Sequence, residues 1–184
     1  MDREQAYEIL KKHIASDSLR KHCIAVEVVM RHFAKIQGED IEKWGIIGML
    51  HDIDYEKYPE EHCVKCVDIL QEENIPIEWI HSIQSHGYGM TDSPIEPTHP
   101  MEKILYTIDE LTGLINAAAL MQPNKTVAEV KLSSLRKKFK SPSFAAKIDR
   151  EVIKRGAQMA GMELDYTMEE SLKAMQDAHE ILGL

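Results

Sequence analysis

Glycine and proline are scarce in this chain, at 9 and 7 of 184 residues, which argues against low complexity and disorder. Long apolar runs are missing too, and no stretch approaches the roughly 20 residues of a membrane span. The first ten residues, MDREQAYEIL, are charged and lack the apolar centre of a secretory signal. Positive charge is in deficit. Lys and Arg number 22 against 31 Asp and Glu, and the net charge of -9 repels a phosphate backbone, so general nucleic-acid binding is not expected. A local basic pocket can still receive a small anion. Cysteine is limited to Cys23, Cys63 and Cys66, an odd number with no disulfide framework. The expectation is a globular protein of a reducing cytoplasm, away from membranes. Cys63 and Cys66 form a Cys-x2-Cys pair, but the second pair that would complete a zinc site is absent. On a helix the two sulfurs share a face, and packing as small buried hydrophobes is preferred over metal or redox chemistry.

What remains is dominated by helical periodicity. Residues 2–15 read as a first helix. Ser18 can cap a second, to about residue 36, with Leu19, Cys23, Val26 and Phe33 at helical spacing. Asp40 can cap a third, IEKWGIIGML, apolar nearly all round and therefore buried. A polar turn, DYEKYPE, leads to a fourth helix over residues 60–73. Pro76 can open a fifth, ending at Gly87, and a loop rich in Gly and Pro follows. A long helix over 101–121 carries Ile104, Leu105, Ile108, Leu111 and Ile115 as its apolar stripe. Further helices are expected over 145–161 and from residue 167. The expected architecture is all-α, with a core over residues 1–122 and a C-terminal helical appendage over 123–184 packed on it.

Nine histidines are spread among these elements. His51-Asp52 ends the buried third helix, where an unpaired carboxylate is costly and a cation is a good partner. The bland alternative is a helix C-terminus with a favourable histidine and a turn-forming aspartate. His22 lies beside the stripe of the second helix, and Asp109 is flanked by Ile108 and Leu111. Gly113, one turn beyond Asp109, offers room for an ion. His62 shares a helical face with Cys66, and His86 ends the fifth helix. Periodicity alone does not single out this set, because His13, His32, His81, His99 and His179 also have apolar neighbours.

The order of the residues does. His22, His51-Asp52, His62, His86 and Asp109, carried by LRKHCIAV, GMLHDIDYEKYPEEH, IQSHGYG and ILYTIDELTGLI, resemble the H…HD…H…H…D pattern of HD-domain phosphohydrolases. Within that superfamily the pattern is most similar to two-metal members, including bacterial HD-type diadenosine tetraphosphate hydrolases. It departs from the signalling subgroup whose motif continues HD-I-G-K, since this chain reads HDIDYEK. The resemblance implies an HD-domain helical bundle and a metal-dependent hydrolase acting on a nucleotide or other small phosphorylated metabolite. It implies that Asp52 bridges two ions, that His22, His51 and Asp109 complete one site, and that His62 and His86 complete the other.

Imidazole and carboxylate ligands suit one or two divalent transition ions, namely manganese, iron, nickel, cobalt or zinc. Such an ion activates water and neutralises phosphoryl charge. Lys57, between two expected ligands, is the favoured cation for substrate phosphate, ahead of Arg20 and Lys21. Asp54 is a candidate for orienting a ligand or accepting a proton. The basic run of Arg136, Lys137, Lys138 and Lys140 reads as a solvated helix face. Two other functions share the scaffold: a di-iron oxygenase, which would consume oxygen, and a metal-containing binding module without turnover.

Overall fold

Side-chain caps place most of the long helices. In the computed structural model, which describes residues 1–184, Asp2 accepts the Gln5 amide and opens α1 (Arg3–His13). Ser16 caps α2 (Asp17–Gln37) through the Leu19 amide. Ser18, the cap expected from sequence, lies inside the first turn instead. Gly38, in the left-handed conformation at φ 71°, ends α2. Asp40 caps α3 (Ile41–Leu50) as expected, and seven of its ten residues are buried.

The fourth expected helix is broken in two. Pro59–Glu61 form a single 3-10 turn, His62 is extended, and Cys63 adopts a left-handed φ of 64°. Only Cys66–Glu72 form α4, so Cys63 and Cys66 share no helical face. Then come α5 (Ile77–Gln84), a 3-10 turn at Ser85–Gly87, and the loop that ends at α6 (Pro100–Leu120). The His99 ring and the Glu102 carboxylate cap α6 reciprocally. The C-terminal part holds α7 (Leu132–Phe139), α8 (Arg150–Met159), α9 (Leu164–Asp177) and α10 (His179–Leu182). Residues 145–149 precede α8 rather than belonging to it, because Asp149 caps it through the Glu151 and Val152 amides. The helix expected from Thr167 begins one turn earlier, at Leu164.

The chain is all-α, with no strand. One apolar core of 41 buried residues draws on α1 (Leu10), α2 (Val26, Phe33), α3 (Ile47, Leu50), α6 (Ile108, Leu111) and α9 (Met168, Leu172). α3 packs on α2 with Gly48 at the crossing, where an added Cβ would lie 2.8 Å from Met30 Cγ and 3.2 Å from the Val26 carbonyl oxygen. That crossing is one turn from both His51 and His22. α6 covers the other side of α2 and brings Asp109 to the same place. No helix is long and apolar enough to cross a membrane.

Candidate metal centre

Four elements deliver the His and Asp side chains to one point. His22 comes from α2, His51-Asp52 from the end of α3, His86 from the turn after α5, and Asp109 from α6; His62 arrives on the broken segment before α4. His22 Nε2 lies 2.9 Å from Asp109 Oδ1 and 3.6 Å from Asp52 Oδ2. His51 Nε2 is 3.3 Å from an oxygen of each carboxylate. Across Asp52, His62 Nε2 and His86 Nε2 lie 3.4 and 3.6 Å from Oδ1 and 3.2 Å from each other. Asp52 therefore stands between two groups, His22–His51–Asp109 on one side and His62–His86 on the other.

Backbone and carboxylate acceptors orient three of the rings. His51 Nδ1 donates to the Gly48 carbonyl at 2.8 Å, and His86 Nδ1 to the Ile83 carbonyl at 2.5 Å. His62 Nδ1 donates to Asp54 at 2.7 Å. Each bond leaves Nε2 with a lone pair turned toward Asp52, which is how metal-binding histidines are held. His51 Nε2 is completely buried and has no hydrogen-bond partner. A buried acceptor facing carboxylate oxygens lacks a donor, and a cation removes that cost. The donor set and this orphaned nitrogen both fit a divalent transition ion.

Charge is arranged to match. Burial opposes ionisation of Asp52 and Asp109, but His51 and the neighbouring imidazoles outweigh it and hold both carboxyls below their usual range. Burial likewise opposes a charged His62, yet Asp54, Cys63 and Asp52 raise its pKa to about 10.

His22, Asp52, His62, His86 and Asp109 line a pocket of about 390 Å³, with His51 fully buried behind them. Tyr55, Met90, Thr91, Glu110, Lys147 and Ile148 line it as well. Lys57 is not on this wall. It is exposed, on the outside of the turn whose inner side holds Asp54. Arg20 and Lys21 face Asp17 on the α2 surface, at 3.8 and 3.2 Å. The pocket cation is Lys147, which sequence reasoning missed because it follows the appendage boundary by 24 residues and no motif surrounds it. Gly113 also differs from expectation. The space above it is taken by Ile148 Cδ1, 2.9 Å from where a Cβ would sit, and not by room for an ion. A larger cavity of about 880 Å³, among α7, α8 and α9, contains no histidine and shares only Lys147 and Ile148 with this one. Arg136 and Lys140 of the basic run line it, with Arg136 Nε 3.0 Å from Asp165.

A helical bundle with a buried His and Asp centre able to hold a divalent metal is the class that fold and site define. Residues 19–114, just over half of the chain, match the HD domain, and the chain belongs to that family, whose members are generally metal-dependent phosphohydrolases. No curated protein and no solved structure matches the chain.

Proposed function

We propose that this protein is a metal-dependent phosphohydrolase acting on a small phosphate ester, a nucleotide or another phosphorylated metabolite. The observation that carries the reading is His51 Nε2, buried and unpartnered, facing two ionised carboxylates among three further imidazoles. His22, His51 and Asp109 would hold one ion, His62 and His86 a second, and Asp52 both. A bound divalent ion supplies Lewis acidity for a phosphoryl oxygen and lowers the pKa of its water toward neutrality. Asp52 and Asp109, held ionised, would keep the site anionic and so favour retention of a bound cation. Lys147 puts a positive charge at the mouth, where it can meet a phosphate oxygen. Leu19, Met90 and Ile148 give an apolar wall for the rest of the ester, and the pocket volume suits a ligand of small-metabolite size.

The test joins metal analysis to a screen of nucleotides and simple phosphate esters. The wild-type protein is expected to carry one or two transition ions per chain and to release phosphate or a nucleotide product. Asp52→Ala is expected to lose metal and turnover together while keeping its helix content. Full metal occupancy and normal turnover in Asp52→Ala would overturn the assignment.

A further inference from the structure

Cys63 is absent from the His and Asp pattern, yet its thiol stands beside that cluster. Sγ lies beside the His86 ring, 3.5 Å from Nε2 and 3.8 Å from Nδ1, and the ligand atoms of His62, Cys63 and His86 all fall within 4.8 Å of one another. The three side chains are close enough together to meet a common ion. Bond lengths of about 2.0–2.1 Å to nitrogen and 2.3 Å to sulfur, at tetrahedral angles, put N···N near 3.4 Å and N···S near 3.6 Å. The two imidazole nitrogens are 3.2 Å apart.

The backbone is shaped around the thiol. Cys63 takes a left-handed φ of 64°, a conformation that costs a non-glycine residue on the order of 1 kcal/mol or more. Its carbonyl accepts a hydrogen bond from Gln84 Nε2 at 3.1 Å, which ties this turn to α5. Gly87 leaves the space that Sγ fills, since a Cβ there would lie 2.5 Å from the sulfur. The trio adjoins the group read above as holding the other ion. The unpartnered His51 Nε2, fully buried, is within 4.8 Å of the ligand atoms of Asp52 and His86.

We propose that Cys63 is a thiolate ligand of the ion held by His62 and His86, so that this chain has one nitrogen-and-oxygen site and one sulfur-containing site. The inference rests on the metal-centre reading above and goes beyond it in chemistry. Binding replaces the thiol proton by the ion and releases that proton to solvent. A thiolate makes the second site softer than the first and turns its selectivity toward zinc, cobalt or iron and away from manganese or magnesium.

Cobalt(II) titration of the metal-free protein under anaerobic conditions tests it without reference to turnover. A thiolate on cobalt gives a strong near-ultraviolet charge-transfer band, whereas imidazole and carboxylate ligands give only weak visible bands. The band is expected in the wild type and in Cys66→Ser and Cys23→Ser, and is expected to vanish in Cys63→Ser. Cys63→Gly serves as a second variant, because glycine suits the left-handed backbone; it should keep native helix content, bind cobalt and show no band. Cobalt bound in the wild type without the band, or a band that survives in both Cys63 variants, overturns the thiolate ligand and leaves the metal centre standing. Failure of the wild type to bind cobalt at all overturns both.

Discussion

Asp54 is fully buried, with one oxygen 2.7 Å from His62 Nδ1 and the other accepting the Cys66 amide at 2.7 Å. It does not line the pocket, but it fixes both the ring of His62 and the start of α4. Removing such a support from a metal-bound histidine costs about 10- to 100-fold in metal affinity or activity. Asp54→Ala is expected to show a loss of that size in competitive chelator titration. Affinity within twofold of the wild type would exclude the positioning role. At this scale the sequence was legible where order carried the information. The series His22, His51, Asp52, His62, His86, Asp109 picks out side chains that do converge, and His22, His51 and Asp109 do so from helices whose apolar faces are plain. It was illegible where geometry depends on a single twist. Nothing in EEHCVKC announces the left-handed Cys63, which moves that thiol from helix packing to the edge of the cluster. Lys57 misled for the opposite reason, since nearness in sequence to His51 and His62 says nothing about which side of a turn faces the pocket.

The α2–α3 crossing sets the spacing of His22 and His51, whose ring centroids are 5.1 Å apart. Gly48 permits that approach. Gly48→Val would drive side-chain carbons into Met30 and the Val26 carbonyl, and overpacking of this kind costs about 1–3 kcal/mol. A lower urea midpoint together with a reduced metal content is the expected outcome. A stable variant with unchanged metal content would show that the crossing does not govern the site. Periodicity located the long helices of the first half, since α2, α3 and α6 bury continuous apolar faces. Boundaries were less legible where two caps compete. Ser16 and Ser18 are both good caps, and the turn is settled by tertiary contacts, with the Ala15 and Ser16 amides donating to Glu56 at 2.9 and 3.0 Å. The break before α4 follows from Pro59 and from Asp54 capturing the Cys66 amide, a bond made across twelve residues that no local pattern encodes.

Across the whole molecule, the C-terminal helices share the core of the HD domain rather than a separate one. Met168, Leu172 and Met175 of α9 and Ile153 of α8 belong to the same buried cluster as Val26 and Leu111. Fully burying each such side chain contributes roughly 1.5–3 kcal/mol, so losing several exceeds the margin of a typical domain. A chain ending at residue 122 is therefore expected to lose its cooperative thermal transition in circular dichroism. A cooperative melt near that of the full chain would show an autonomous core. The pocket is divided along the same line. Its floor is drawn from residues 22–109, within the matched HD domain, while Lys147 and Ile148 at its mouth come from beyond it. For an engineer, the molecule thus separates into a part to keep and a part to vary. Exchanging Lys147 would change the charge at the entrance, while the His and Asp side chains beneath come from other elements and keep their supports.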